Sequence, residues 1–287
     1  MKLLPSDRTK KPVSAAIAAA ARPQPNPTLA WMPESLMYYS WRNDLRELLA
    51  SILDLSHPDV DDALTFKKNF SARTGVAVED AVGALGGQFA FLIRDIRMGG
   101  ILPVPELALM VETGRPEIID RMVETIVRNS DMAMETEAWG ATTIRYLALP
   151  QGEALSPAYA VGNGFAILAS NRALLKTLLD REKNAPRLPD SALFKAVDRG
   201  LSGPNNRVDF LRPDQAAARL KEMLNLGLSL AMMSGKRQDS HRIAYLSDNV
   251  LAPLLEALSA YKAVGSRTFS EKNAIQADVY VLKPSSP

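Results

Sequence analysis

The chain has 287 residues, of which 47% are hydrophobic and 23% charged, values that exclude collagen, coiled coil or wholesale disorder as a description of the whole. It contains no cysteine, which removes thiol catalysis, a disulfide framework, iron–sulfur clusters and cysteine-ligated zinc together. Lys and Arg number 34 against 32 Asp and Glu, a formal net charge of +2.

That excess lies in the first 30 residues, where Lys2, Arg8, Lys10, Lys11 and Arg22 face only Asp7. The rest of the chain is balanced, so it exerts no general pull on nucleic acid. Residues 1–30 read as a flexible, basic, Pro/Ala-rich tail, because Pro5, Pro12, Pro23, Pro25 and Pro27 prevent a continuous helix. A basic start followed by the weakly apolar run 13–21 also outlines a secretory signal, but that run contains no Leu, and a linker is the favoured reading. No stretch reaches the ~18 uninterrupted apolar residues of a spanning helix.

The first ordered element is expected to be a strand over 35–41, where Tyr38, Tyr39 and Trp41 suit a pleated surface. Asn43 or Asp44 should cap a helix to Leu53, with Leu45, Leu48, Leu49 and Ile52 on one face. A second helix follows over 59–73, and a short one over 78–85 ends at Gly86-Gly87. Residues 88–95 and 106–112 form a hairpin about Gly99-Gly100. Pro116 opens a helix to Asn129 with Ile118, Met122 and Ile126 inward.

Strands are then expected over 142–149, 158–161 and 165–169, the last two joined by Gly162-Asn163-Gly164. An Asn-Gly pair tolerates the positive φ angles of a tight hairpin. Asn171 should cap a helix to Asp180, and a second helix spans 191–199. A strand over 206–211 precedes a long helix capped by Asp214 and running to Met233. Residues 234–242 form a polar loop, and Asp248 caps a helix to Tyr261. A final hairpin, 266–270 with 274–282, turns at Lys272-Asn273.

The order strand, helices, hairpin thus occurs twice. It points to an α+β body over 31–283, with antiparallel sheets covered by helices and possible halves 31–150 and 151–283. A single continuous sheet accounts for the same order.

Sequence signals for chemistry are sparse. Asp54, His57, Asp59, Asp61 and Asp62 form the densest set of potential metal ligands or hydrolytic carboxylates, yet Pro58 and the following helix start explain the acids equally well. His241 stands in the polar stretch 235–242, and no Gly-x-Ser-x-Gly elbow is present. Gly83, Gly86 and Gly87 lack the Gly-Lys-Ser/Thr of a phosphate loop. Lys236, Arg237 and Arg242 are few and are interrupted by Asp239, as in a solvated loop. The most distinctive stretch is the Met/Leu-rich helix 215–233. Its Met223, Leu226, Leu230 and Met233 are candidates for an apolar ligand or partner surface.

Five stretches resemble a family of uncharacterised bacterial proteins, many of them exported or envelope-associated, grouped as a domain of unknown function. They are MPESLMYYSWRND, TGVAVEDAVGALGGQFAFLI, LSPAYAVGNGFAILASNRALLKTLLD, PNNRVDFL and LAPLLEALSAYKAVGSRTF, spread over most of 32–283. The resemblance implies an α+β body, association with the envelope, and no assigned catalytic residues; no cofactor is expected. The leading expectation is therefore a non-enzymatic binding or scaffold protein of an envelope or surface assembly, whose partner is another protein or itself. A carrier of an apolar small molecule such as lipid, with a continuous cavity under helix 215–233, is the second reading. A carboxylate- or metal-dependent hydrolase is the third.

Overall fold

The computed structural model describes residues 2–3, 22–49, 60–99, 102–130, 132–150, 152–180, 186–233, 245–271 and 274–283. The chain is α+β. Its strands are β1 (Lys2–Leu3), β2 (Tyr38–Arg42), β3 (Leu85–Gly99), β4 (Leu102–Thr113), β5 (Met134–Trp139), β6 (Thr142–Leu147), β7 (Ala158–Gly162), β8 (Phe165–Ala169), β9 (Arg207–Leu211), β10 (Ala263–Glu271) and β11 (Ala274–Leu282). The helices are α1 (Val60–Thr74), α2 (Val78–Ala84), α3 (Pro116–Asn129), α4 (Arg172–Leu179), α5 (Ala192–Val197), α6 (Pro213–Met233) and α7 (Ala252–Ser259), with a further helical stretch at 45–49.

All eleven strands belong to one sheet, in the order β1-β11-β10-β9-β2-β3-β4-β8-β7-β6-β5, and every pairing is antiparallel. The expected plural sheets are therefore merged. The repeated order is nonetheless real. β2 with β3 and β4, and β9 with β10 and β11, are two strand–helices–hairpin units over 38–113 and 207–282. They lie side by side through the β2–β9 pair, Ser40 opposite Asp209. The segment between them adds β5 to β8 beyond β4.

The period of two along each strand sorts residues into two faces. On one face lie Tyr39 and Trp41 of β2, Ala90 and Leu92 of β3, Ala108 and Met110 of β4, Ile167 of β8, and Val208 and Phe210 of β9, all buried. This face is covered by residues 29–36, α4 and α5, through Leu29, Met32, Leu36, Leu174, Leu175 and Phe194. The alanines leave room for the covering layer, and the large side chains fill it. The two buried aromatics with polar heads are satisfied: the Tyr39 hydroxyl bonds Thr28 Oγ1 at 2.8 Å and Asn26 Oδ1 at 3.0 Å, and Trp41 Nε1 donates to Gln88 Oε1 at 3.2 Å. A smaller cluster of Val76, Ala81, Ala84 and Ile118 joins α1, α2 and α3.

Several elements match the sequence expectation, among them α3 from Pro116 to Asn129. The Asn163 and Gly164 φ angles of 54° and 81° make the β7–β8 turn the left-handed kind that Asn-Gly favours. Asn171 accepts from Leu174 N at 2.7 Å and Ser191 from Phe194 N at 3.1 Å, so both cap their helices.

Other expectations are corrected. Residues 22–30, read as tail from their prolines, pack on the body: Gln24 bridges to Asn205, and Thr28 and Leu29 are buried. Strand β5 was not expected, because Glu135 and Glu137 disguise its alternation; it is tolerated because β6 alone borders it. Gly86-Gly87 does not end the helix-to-strand passage but lies inside β3, at a register irregularity where Glu112 Oε2 accepts from Gly87 N and Gln88 N. Ile126 points outward rather than into the core. Pro213 opens α6, so Asp214 sits in its first turn instead of capping it. The turns at 100 and at 272–273, and Ile52, fall outside the described residues.

Gly265 of β10 shows how closely the helical layer approaches the sheet. A Cβ at that position would stand 2.5 Å from Leu201 Cδ1 and 3.1 Å from Val197 Cγ2, both of them buried. Gly265→Val is expected to destabilise the protein by about 1–3 kcal/mol, read as a lower urea midpoint at unchanged slope. An unchanged midpoint would contradict this packing.

Candidate functional site

Beyond β9 the chain leaves the sheet as a two-helix arm. Helix α6 runs out over 21 residues, and a helical run from 245 returns to Ser259. The returning run is not capped by Asp248, as the sequence suggested. Asp248 lies within a wide, π-helical turn, Ser247–Leu251, which precedes α7. Pro253 accounts for that turn, since its ring crowds the carbonyl four residues earlier and it offers no N–H to close a normal one. Leu255 and Ala217 are buried and pin the arm's inner side.

Among the described residues the returning run carries a stripe of exposed apolar side chains. Leu246, Val250 and Leu254 are 53%, 50% and 53% exposed, and Leu258 continues the same four-residue spacing. Tyr245, Leu220 and Leu230 are exposed beside them. Water bears this area at a cost of roughly 25 cal/mol per Å2.

Of the residues singled out in the sequence, Met223 and Leu226 are half-buried, Leu230 is exposed, and the Met233 side chain lies outside those described. Sequence reasoning thus named residues of the outgoing helix alone. The stronger stripe is on the returning one, and its signal was present as Leu246, Val250, Leu254 and Leu258 at intervals of four.

The space between α6 and β3 is lined largely by charged and polar groups. It is a cleft of about 330 Å3 whose lining includes Arg94, Asp95, Arg97, Gln215 and Arg219. Arg219 Nε donates to Asp95 Oδ1 at 2.7 Å and Nη2 to Oδ2 at 3.1 Å, a two-pronged clasp that ties the base of the arm to β3. Partial burial works against ionisation of Asp95. The clasp, the Ile96 N–H and nearby Arg97 outweigh it and hold the carboxyl below its ordinary 3.8.

A larger open cleft, of about 570 Å3, lies beside the Asn163-Gly164 turn. In it Arg145 Nη1 donates to Asp120 Oδ1 at 2.8 Å and to the Tyr159 hydroxyl at 3.0 Å, while that hydroxyl donates to Asp120 at 2.7 Å. Burial and the Asp120 carboxylate push the Tyr159 hydroxyl well above its usual range, so it stays protonated. The three groups satisfy one another.

Asp61 and Asp62 are exposed in the first turn of α1, where the helix dipole favours acids. Asp54, His57 and Asp59 fall outside the described residues, as do Lys236, Arg237, His241 and Arg242. Among the described residues no group of three or more His, Asp or Glu is placed to hold a metal ion, and no helix is long and apolar enough to cross a membrane.

No family model matches the chain, and no curated protein does. Two solved structures are similar in outline. Crystal form IV of the protein TP0453 has a TM-score of 0.40 and 11% identity, covering 90% of this chain and 80% of that one. Crystal form I has a TM-score of 0.38 and 10% identity, covering 91% and 81%.

Because the folded pKa of Asp95 is depressed, its contribution to stability is fully present above the ordinary 3.8 and is lost as pH falls through the lower folded value. The pair is partly exposed, so this contribution is at most about 1 kcal/mol. Asp95→Asn is expected to lower the melting temperature at neutral pH and to lower it less at an acidic pH below 3.8. An equal deficit at both pH values would show that Asp95 acts through something other than its charge.

Proposed function

We propose that this protein is a non-enzymatic binding component of a bacterial envelope or surface assembly, and that the two-helix arm is its contact surface for another protein. The observation that carries this reading is the exposed stripe Leu246, Val250, Leu254 and Leu258 on a helix that already spends its inner side on α6. Anchors at four-residue intervals are how a helix enters an apolar groove or joins a helical bundle.

The charge on the returning helix favours a protein over a lipid surface. From 245 to 261 the chain carries Asp248 and Glu256 and no Lys or Arg. Helices that lie on anionic membranes flank their apolar face with basic residues. The envelope setting is supported by the family resemblance of the five stretches within 32–283.

The test is the triple variant Leu246→Ser, Val250→Ser, Leu254→Ser in the full chain. These side chains bear on solvent, so the far-ultraviolet dichroism should be unchanged. Proteins that co-purify stoichiometrically with the parent from its own host, a second copy included, should be lost about tenfold or more in the variant. Equal recovery from both proteins would overturn the proposal. So would arm-dependent flotation on neutral phosphatidylcholine vesicles with no protein partner, which would make the arm a lipid-binding device.

A further inference from the structure

The same sheet junction that joins the two units gathers three arginines at one end of the sheet. Tyr38 pairs with Leu211 on one side and with Ile93 on the other. The next residues outward are therefore abreast. Met37 N donates to Ile93 O at 3.0 Å, and Arg212 N donates to Met37 O at 2.8 Å. Arg94 and Arg212 thus flank the entry to β2 from opposite sides, two strand spacings or roughly 10 Å apart along the backbone. Pro33 forms a bridge with Arg187, which brings the third guanidinium over the same end.

Between them is a cleft of about 430 Å3, whose lining includes Ser35, Thr177, Arg94, Arg187 and Arg212, with Glu34 the one acid among its described lining residues. The three cations are not equally occupied. Arg187 is held by carbonyls, its Nη1 donating to Trp31 O at 2.9 Å and to Thr177 O at 3.2 Å, and its Nη2 to Asp180 O. It is a fixed part of the wall.

Arg94 meets Glu106 only at 3.8 Å, beyond hydrogen-bond distance. Arg212 meets Asp214 only at 3.6 Å, and Lys262 shares that carboxylate at the same distance. Arg212 Nε is buried and has no hydrogen-bond partner among the described residues. A buried guanidinium N–H without an acceptor is costly, because it gives up its hydrogen bond to water and gains none in return. Arg94 and Arg187 beside it are further cations, so an anion entering the cleft would supply that acceptor.

We propose that this cleft binds an oxyanion of the phosphate-monoester or phosphodiester kind, read by the Arg94 and Arg212 guanidiniums against the fixed charge of Arg187. Arginine forks match the spacing of phosphate oxygens, and the Ser35 hydroxyl adds a neutral donor. The cleft has room for a phosphate with a small organic group attached. It is distinct from the exposed stripe of the arm.

The test is calorimetric titration of the full chain with inorganic phosphate and with glycerol 3-phosphate, together with flotation on vesicles containing phosphatidylglycerol. Saturable binding of the soluble anions is expected, weakened about tenfold in Arg94→Gln and again in Arg212→Gln. Arg97→Gln should bind as the parent does, since Arg97 lies in the adjoining cleft and pairs with Glu106 at 3.2 Å. Vesicle binding with the same dependence on Arg94 and Arg212 would identify a lipid headgroup as the source. Binding of the soluble anions alone would identify a free phosphate compound. The proposal is overturned by no saturable binding of any probe, or by binding that the Arg94 variant retains in full or that the Arg97 variant loses equally. Arg94 is partly exposed and its variant is expected to fold, which keeps the test decisive even if Arg212→Gln does not. The triple arm variant should retain phosphate binding, so the two proposals fail separately.

Discussion

The antiparallel pairing of β2 with β9 is the constraint on which the rest of the structure depends. Five residues of each strand are matched, Tyr38 with Leu211 through Arg42 with Arg207. Each strand brings its own hairpin to the far side, so one short ladder joins residues 38–113 to residues 207–282 across the sequence. Its register puts Tyr39, Trp41, Val208 and Phe210 on the same face, where all four are buried. A slip of one residue would turn either Tyr38 and Ser40 or Arg207 and Asp209 into the core, where polar and charged groups without partners are costly. The ladder is thus enforced by burial on one side and by polar chemistry on the other. Asp209 accepts from Arg207 Nε at 2.7 Å, from Ser266 at 3.1 Å and from the Tyr38 hydroxyl at 3.3 Å on that other side.

The same register shapes what the molecule offers to others. The central face of the sheet is closed by residues 29–36, α4 and α5, and it holds the aromatic core. The arm leaves from the end of β9 and is tied back by Asp95 to Arg219, while its outer stripe remains in solvent. At the point where the arm departs, strand pairing sets Arg94 and Arg212 on either side of β2. An apolar contact surface and a cationic cleft therefore arise from one piece of topology.

Much of the fold was legible in the sequence because its signals are local. Pro116 opens α3, Asn171 and Ser191 cap their helices, and Asn163-Gly164 turns its hairpin, each by chemistry that acts over three or four residues. The doubled order of elements was legible too, and one continuous sheet was among the readings it allowed; the β2–β9 ladder that decides for it is made 160 residues and more along the chain. Segment 22–30 was misread because prolines argue against helix and say nothing about packing in extended form. Strand β5 was hidden by its glutamates. The arm was recognisable from the richness of α6 in Leu and Met. Its more exposed stripe runs across Asp248, which reads in the sequence as a helix cap, whereas the chain is already helical at 245. The arginine cleft could not have been found, because Arg94, Arg187 and Arg212 meet only through strand register.

The central claim is that the arm presents its apolar side to solvent in the free protein. Carbene footprinting of the isolated full chain, with labelled positions mapped by mass spectrometry, tests it most directly. The account predicts strong labelling at Leu246, Val250 and Leu254 and little at Trp41, Leu92 and Phe210 of the same molecules. Labelling of the three arm residues as weak as that of the core would contradict it, because the stripe would then be covered by the protein itself.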